Sequence, residues 1–190
     1  MHGLAAGDFD GDGYADLLLA GNSYAPVPES GRFDGGLGWL LRGDGAGGFT
    51  FVPPDDSGFV VPGDARALAV TDLNQDGWPD AFVTRSNDRP LTFLNRGRPG
   101  RHSFGVALRG VPGNPAAVGA RLTLQLSDGS TQTAGISAGS GYLTQSGATL
   151  FFGYPDSTPP QRLRIRWPDG RETTREFTAS PPKLLRLSQP

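Results

Sequence analysis

The chain has 190 residues, 36% of them hydrophobic, a net charge of −2 and no cysteine. This excludes a disulfide framework, a thiolate metal site and a cysteine nucleophile, and there is no apolar run of about 18 residues to cross a bilayer as a helix. With 29 glycines and 17 prolines, turns interrupt the chain every few residues, so short strands rather than long helices are expected.

Charge divides the chain. Residues 1–97 hold 13 Asp and one Glu against six Arg, a net of −8, while residues 98–190 hold three Asp and two Glu against ten Arg and one Lys, a net of +6. Such an asymmetry predicts two domains, 1–97 and 98–190, with different tasks. Met1 is followed at once by a folded-looking motif, so an export signal is expected upstream of it or not at all.

An internal repeat opens the chain. Residues 4–20 read LAAGDFDGDGYADLLLA and residues 68–84 read LAVTDLNQDGWPDAFVT, at an offset of 64 residues. Both give an apolar strand, then D-x-[DN]-x-D-G-aromatic-x-D, then a second apolar strand. After the first loop, strands are expected at Leu37–Arg42 and Phe49–Val52, joined by a turn at Gly43–Gly48. After the second, they are expected at Leu91–Asn95 and Phe104–Leu108. Each unit then has about four short strands, the size of one propeller blade. Residues 21–36 read as a long polar loop.

The loops carry the chemistry. Calcium is a hard cation that takes six to eight oxygens, and oxygens at alternate positions of a tight loop converge on it. The expected ligands are Asp8, Asp10, Asp12, the carbonyl of Tyr14 and Asp16 in the first loop. In the second they are Asp72, Asn74, Asp76, the carbonyl of Trp78 and Asp80. Gly13 and Gly77 supply the sharp turn. The spacing is that of the first nine positions of an EF-hand loop, but Leu19 and Val83 stand where the EF-hand has its bidentate Glu, and the flanks are strands. Two calcium ions are therefore expected in β-loop-β sites, where each fixes a strand-to-strand connection. The competing reading has these carboxylates capping turns through Asx bonds; four acidic groups within nine residues would then repel one another without a cation.

From about Gly97 the pattern changes. NRGRPGRHS reads as a linker, and alternating stretches follow at Arg121–Leu126, Thr131–Ile136, Leu150–Phe152, Arg162–Trp167, Thr173–Phe177 and Leu184–Leu187. Period-two alternation separated by turns predicts a small β-sandwich or half-open barrel. Arg162, Arg164 and Arg166 fall on one face of a strand, which reads as a solvated face rather than a nucleic-acid surface. Trp39 and Trp167 are expected in the core or half-buried, and the Trp78 side chain is expected to pack on a neighbouring unit.

The two repeat units resemble FG-GAP or VCBS repeats, the calcium-bearing blades of integrin-like propellers. Residues 98–190 resemble the ASPIC/UnbV domain of the cartilage acidic protein family, through Asn114–Arg121 (NPAAVGAR), Ser137–Gln145 (SAGSGYLTQ), Phe152-Gly153 and Trp167–Gly170 (WPDG). That family commonly has His before the Phe-Gly pair, where this chain has Phe151. Two units are too few to close a propeller ring, which takes about four or more. The resemblance implies an all-β chain, a partial propeller followed by a small sandwich-like domain. It also implies a calcium-binding module outside the cytoplasm that contacts protein or glycan, or further blades upstream.

Catalysis is weakly supported. His2 and His102 have no recognisable nucleophile to pair with, and the Asp residues are committed to loops where a chelated carboxylate is a poor general acid. Two alternatives stand: a natural-product-type isomerase or cyclase with a pocket between the domains, and a purely structural cap of a larger propeller. Arg121, Tyr142 or Gln145 pointing into a pocket favours the enzyme. A broad apolar patch at a blade edge favours adhesion or the cap. Arg42-Gly43-Asp44 spells an integrin-recognition tripeptide, but its place in a turn between strands makes chance the better explanation. Gly139–Gly141 reads as a tight turn rather than a ligand cradle.

Overall fold

The computed structural model describes residues 2–24, 29, 31 and 35–190. The expected polar loop at 21–36 falls partly outside them. The chain is nearly all β, and its strands follow the sequence alternation closely. Strands β1 (Gly3–Gly7), β2 (Asp16–Ala20), β3 (Trp39–Gly43) and β4 (Phe49–Val52) form an antiparallel meander, the first unit. One helical turn, α1 (Pro54–Ser57), leads to the second meander of β5 (Ala65–Thr71), β6 (Asp80–Arg85) and β7 (Asp88–Phe93).

The two meanders pack face to face. Side chains alternate along a strand, so each sheet has two distinct faces. Ala5, Leu18, Ala20 and Leu40 of the first unit meet Leu68, Val70, Ala81, Val83, Leu91 and Phe93 of the second in one apolar cluster. This is the partial propeller, two Asp-rich-loop units stacked as adjacent blades.

Seven further strands build the C-terminal half. These are β8 (Arg101–Arg109), β9 (Arg121–Leu126), β10 (Thr131–Gly135), β11 (Leu150–Pro155), β12 (Pro160–Arg166), β13 (Glu172–Glu176) and β14 (Leu184–Ser188). They form two sheets, ordered β10-β9-β12-β13 and β11-β8-β14, with β14 parallel to β8. Phe104, Leu122, Leu124, Phe152, Leu163, Ile165 and Trp167 fill the core between the sheets. Arg162, Arg164 and Arg166 point to solvent between the buried Leu163, Ile165 and Trp167, as the alternation predicts. Trp167 Nε1 donates to Thr173 Oγ1 at 2.7 Å, which satisfies the one polar atom the ring takes into the core.

Two expectations need correction. Phe104–Leu108 is not a fourth strand of the second unit. It lies inside β8, which pairs with β11 and β14, so the second unit has three strands. The strand also starts at Arg101, within the segment expected to be a linker. Alternation marks a half-buried strand but not its partner, and β8 finds two strands of its own half to pair with. Trp39, expected in a core or half-buried, is 45% exposed and lies on the side of the first sheet that faces away from the second unit.

Candidate metal centre

Each loop is wound around its own carboxylates, in the same way in both units. Asp8 accepts from Gly11 N–H at 2.7 Å and Gly13 N–H at 2.8 Å, one on each oxygen. Asp72 accepts from Asp76 N–H at 3.1 Å and Gly77 N–H at 2.9 Å. The middle positions bond two residues ahead: Asp10 and Asn74 accept from Asp12 N–H and Asp76 N–H. Asp12 and Asp76 accept from Tyr14 N–H and Trp78 N–H, both at 2.9 Å. These Asx bonds give the turn, yet each uses one of about four lone-pair directions on a carboxylate. Oxygens remain for a cation.

The last carboxylate of each loop does a second job. Asp16 accepts from Phe9 N–H at 2.8 Å and Gly43 N–H at 2.9 Å. Asp80 accepts from Leu73 N–H and Asn95 N–H, both at 2.8 Å. Each thus ties the start of its loop to the end of the third strand of its unit. The sequence reading missed Gly43 and Asn95. Their spacing is 52, not 64, because the first unit has 12 more residues from Asp16 to Gly43 than the second has from Asp80 to Asn95, and this hides the equivalence. Gly43 has no room for a side chain: a Cβ there would overlap Ala15 O.

In the first loop, carboxylate oxygens of Asp8, Asp10 and Asp16 lie within 4.8 Å of one another. Asp8 and Asp16 are buried, at 7% and 1% exposure. Burial pushes the Asp8 carboxyl up to about 7, against the pull of the Gly13 and Gly11 N–H groups and with added repulsion from Asp12 and Asp16. Burial likewise raises Asp16 to about 6 despite donors from Gly43 and Phe9. Asp12, outside the triad, is raised by burial too. A group of carboxylates this costly to ionise fits a bound cation, which would stabilise the charged forms. Among the described residues, positive side chains stand on the rim: Arg42 lies 2.8 Å from Asp10 Oδ2, Arg98 lies 3.8 Å from it, and Arg101 also acts on Asp12.

The second loop has the same backbone winding but is less gathered. Asn74 Nδ2 donates to Asp76 Oδ2 at 2.8 Å, so the neutral residue is held by its neighbour. Gln75, between them, has a φ of 62°, where the first loop has Gly11 at 74°. Tyr14 is 50% exposed, with its ring over Gly45. Trp78 packs across the units, and a Cβ at Gly11 would lie 2.7 Å from its ring.

Both loops sit against the C-terminal half. A Cβ at Gly11 would be 3.1 Å from His102 O, and one at Gly77 would be 3.0 Å from Lys183 O and 3.1 Å from Ser103 O. Gly153 of β11 lies directly on the first loop: a Cβ there would overlap Asp8 Oδ2 and come within 2.6 Å of Gly11 Cα. Gln132 Nε2 donates to Gly153 O at 2.6 Å, which fixes that strand in place. The two Asp-rich loops therefore form the floor on which the second half rests.

Beside this contact runs an open cleft of about 810 Å³ between the first unit and the C-terminal half. Among the described residues Asp8 is its one charged lining residue, and Gln145 lines it too, but Tyr142 and Arg121 do not. His102, at the surface of β8, pairs with Asp156 at 2.5 Å and stacks on Tyr154. The Arg42-Gly43-Asp44 tripeptide is accounted for locally. Arg42 meets Asp10, Gly43 donates to Asp16, and Asp44 closes the turn by accepting from Ala46 and Gly48 N–H.

Comparison with known families agrees with this architecture. The FG-GAP-like repeat model matches residues 8–83, and the ASPIC and UnbV model matches residues 110–187. No curated protein matches the chain. Among the described residues no helix is long and apolar enough to cross a membrane. The chain thus carries an FG-GAP-like repeat match followed by an ASPIC and UnbV match, in the order its sequence predicts.

Proposed function

We propose that the chain is a calcium-stabilised binding module of extracellular type, whose ions hold the repeat units and the C-terminal domain in one arrangement. The observation that carries it is the convergence of the Asp8, Asp10 and Asp16 carboxylates within 4.8 Å, in a loop that is itself the seat of the second half. Asp8, Asp10, Asp12 and Asp16, with the Tyr14 carbonyl, would hold one ion. Asp72, Asn74, Asp76 and Asp80, with the Trp78 carbonyl, would hold the second. Bound calcium supplies positive charge that offsets the cost of burying these carboxylates, and no reaction is assigned to it.

Binding rather than catalysis is supported by the apolar side of the first unit. Leu4, Trp39, Phe49 and Phe51 are each about half exposed, and an exposed apolar area of this kind marks a contact with another macromolecule. Of the three residues that would favour an isomerase or cyclase, Gln145 lines the cleft but Arg121 and Tyr142 do not, and Asp8 is a charged residue on its wall, so that reading has some support but less than binding. Calcium titration of the intact chain by calorimetry tests the metal assignment. Two sites are expected, with dissociation constants on the order of 10⁻⁴–10⁻³ M, the class of extracellular modules. Asp12→Ala and Asp76→Ala should each remove one site. A chain that takes up no calcium at millimolar concentration contradicts the proposal.

A further inference from the structure

The edge of a sheet carries backbone N–H and C=O groups that its own strands do not satisfy, and a fold covers such an edge or guards it with charge, proline or short length. Most edges of this chain are treated in one of these ways. β13 carries Glu172, Arg175 and Glu176, β14 carries Arg186, and β7 carries Asp88, Arg89 and Pro90. β4 has only four residues and runs into Pro53. On β5, Val70 N–H donates to Ser146 Oγ and Val70 O accepts from Gly147 N–H. Gly3 of β1 lies against Leu68, and Gly153 of β11 lies on the first loop.

β10 is the exception. It is the end strand of its sheet, paired with β9, and its sequence Thr-Gln-Thr-Ala-Gly has no charge and no proline. The ladder is closed at both ends: Leu126 N–H donates to Ser130 O at 2.9 Å, and Ile136 N–H donates to Ala120 O at 3.0 Å. Residues opposite each other in an antiparallel ladder alternate between bonded and non-bonded pairs. Counting inward from either end makes Leu124 with Gln132, and Leu122 with Ala134, the bonded pairs. The N–H and C=O groups of Thr131, Thr133 and Gly135 therefore point away from β9. These three residues are exposed, and among the described residues none of their backbone groups meets a second strand.

The free edge opens on the cleft between the first unit and the C-terminal half. All five residues of β10 line that cleft. Side chains alternate between the two faces of a strand, so a wall that takes five residues in a row runs along the edge rather than over one face. Tyr14, Phe49, Leu150 and Phe151 also line the cleft. Asp8, the one charged lining residue among those described, is bonded into the first loop. We propose that the cleft takes an extended peptide segment of a partner protein, which adds as a fifth strand to the β10-β9-β12-β13 sheet. Backbone bonds to Thr131, Thr133 and Gly135 hold the segment, and its alternate side chains, uncharged and apolar, meet the aromatic walls. A second copy of the chain is not the occupant, because its own β10 is recessed in the same cleft and its other edges are covered, charged, proline-bearing or short. The inference rests on the binding reading above and names the chemistry of the partner.

The test pans a phage-displayed library of random linear heptapeptides on the intact chain in millimolar calcium, and titrates the recovered peptides, synthesised with capped ends, by calorimetry. Peptides with apolar residues at alternate positions are expected, with dissociation constants below about 1 mM. Thr133→Pro removes one edge N–H and spares the bonds to β9, and proline is tolerated on an edge strand. This variant should melt near the parent and bind the peptides about 10-fold or more weakly. Hydrogen exchange in the unaltered chain reads the same contact without a substitution: the amides of Thr131, Thr133 and Gly135 should slow about 10-fold or more when peptide is bound. A library that yields no such peptide, peptides that hold Thr133→Pro as tightly as the parent, or unchanged exchange at these three amides overturns the proposal. Concentration-dependent sedimentation that Thr133→Pro abolishes also overturns it, since the occupant is then a second copy. A neutral oligosaccharide whose binding is lost in Phe49→Ala and kept in Thr133→Pro overturns it too, and leaves the binding reading standing.

Discussion

Asp16→Ala and Asp80→Ala should each destabilise the chain by about 2–4 kcal/mol even in excess chelator, because each removal orphans two backbone N–H groups at about 1–3 kcal/mol apiece. Phe9 and Gly43 lose their acceptor in the first case; Leu73 and Asn95 lose theirs in the second. Asp16 and Asp80 are 1% and 0% exposed, so water does not readily replace the carboxylate. For a chain of this length the expected fall in thermal midpoint is about 5–15 °C. Asp16→Asn should recover part of the loss, since its amide oxygen serves one donor while its NH₂ faces the other. Asp12→Ala is the contrast. Its one bond in the loop comes from the exposed Tyr14 N–H, so without calcium its effect should stay within about 1 kcal/mol. Equal losses for Asp12→Ala and Asp16→Ala in chelator would refute the division between anchoring and metal-holding carboxylates.

Gly153→Val should uncouple the two halves of the molecule. The Cβ it adds meets Asp8 Oδ2 and Gly11 Cα, and Gly11 is backbone in a tight turn against Trp78 and His102 O, so neither side can yield cheaply. Forcing atoms into a closed contact costs about 1–3 kcal/mol or more. The chain must either lift β11 off the first loop or distort the loop. Both outcomes disturb Asp8, so calcium affinity at the first loop should fall about 10-fold or more, which is at least 1.4 kcal/mol. The second loop, seated on Ser103 and Lys183, should be spared. Gly139→Ala, where an added Cβ meets nothing, is the control and should change neither stability nor calcium uptake. Calorimetric titration and thermal unfolding of the two variants read both effects, and a Gly153→Val chain with native stability would contradict the seating described here.

What could be read from sequence was local. The D-x-[DN]-x-D-G spacing placed both loops, and period-two alternation placed nearly every strand of the C-terminal half, because each signal depends on residues a few positions apart. Signals that depend on a distant partner were lost. Phe104–Leu108 alternates like any half-buried strand, and nothing in its residues says that it pairs with Leu150–Pro155 and Leu184–Ser188 rather than with Asp88–Phe93. Trp39 is apolar because the face it stands on is apolar, but only the stacking of the two units shows which face is covered. The role of Gly153 was invisible for the same reason: it is small because Asp8, 145 positions earlier, lies against it. Asp16 and Asp80 read as metal ligands alone, since their bonds to Gly43 and Asn95 run to a third strand whose spacing differs between the units.

The central claim is that calcium in the two loops is coupled to folding, and thermal unfolding in saturating calcium and in chelator tests it most directly. At a hundredfold excess over the dissociation constant each ion should add about 2.7 kcal/mol. The midpoint should therefore rise markedly with calcium in the unaltered chain. In Asp12→Ala and in Asp76→Ala it should rise by about half as much, with chelator midpoints near that of the parent. Superimposable curves with and without calcium would contradict the account, and would leave the buried Asp8, Asp10 and Asp16 cluster as a site for some other cation or cationic ligand.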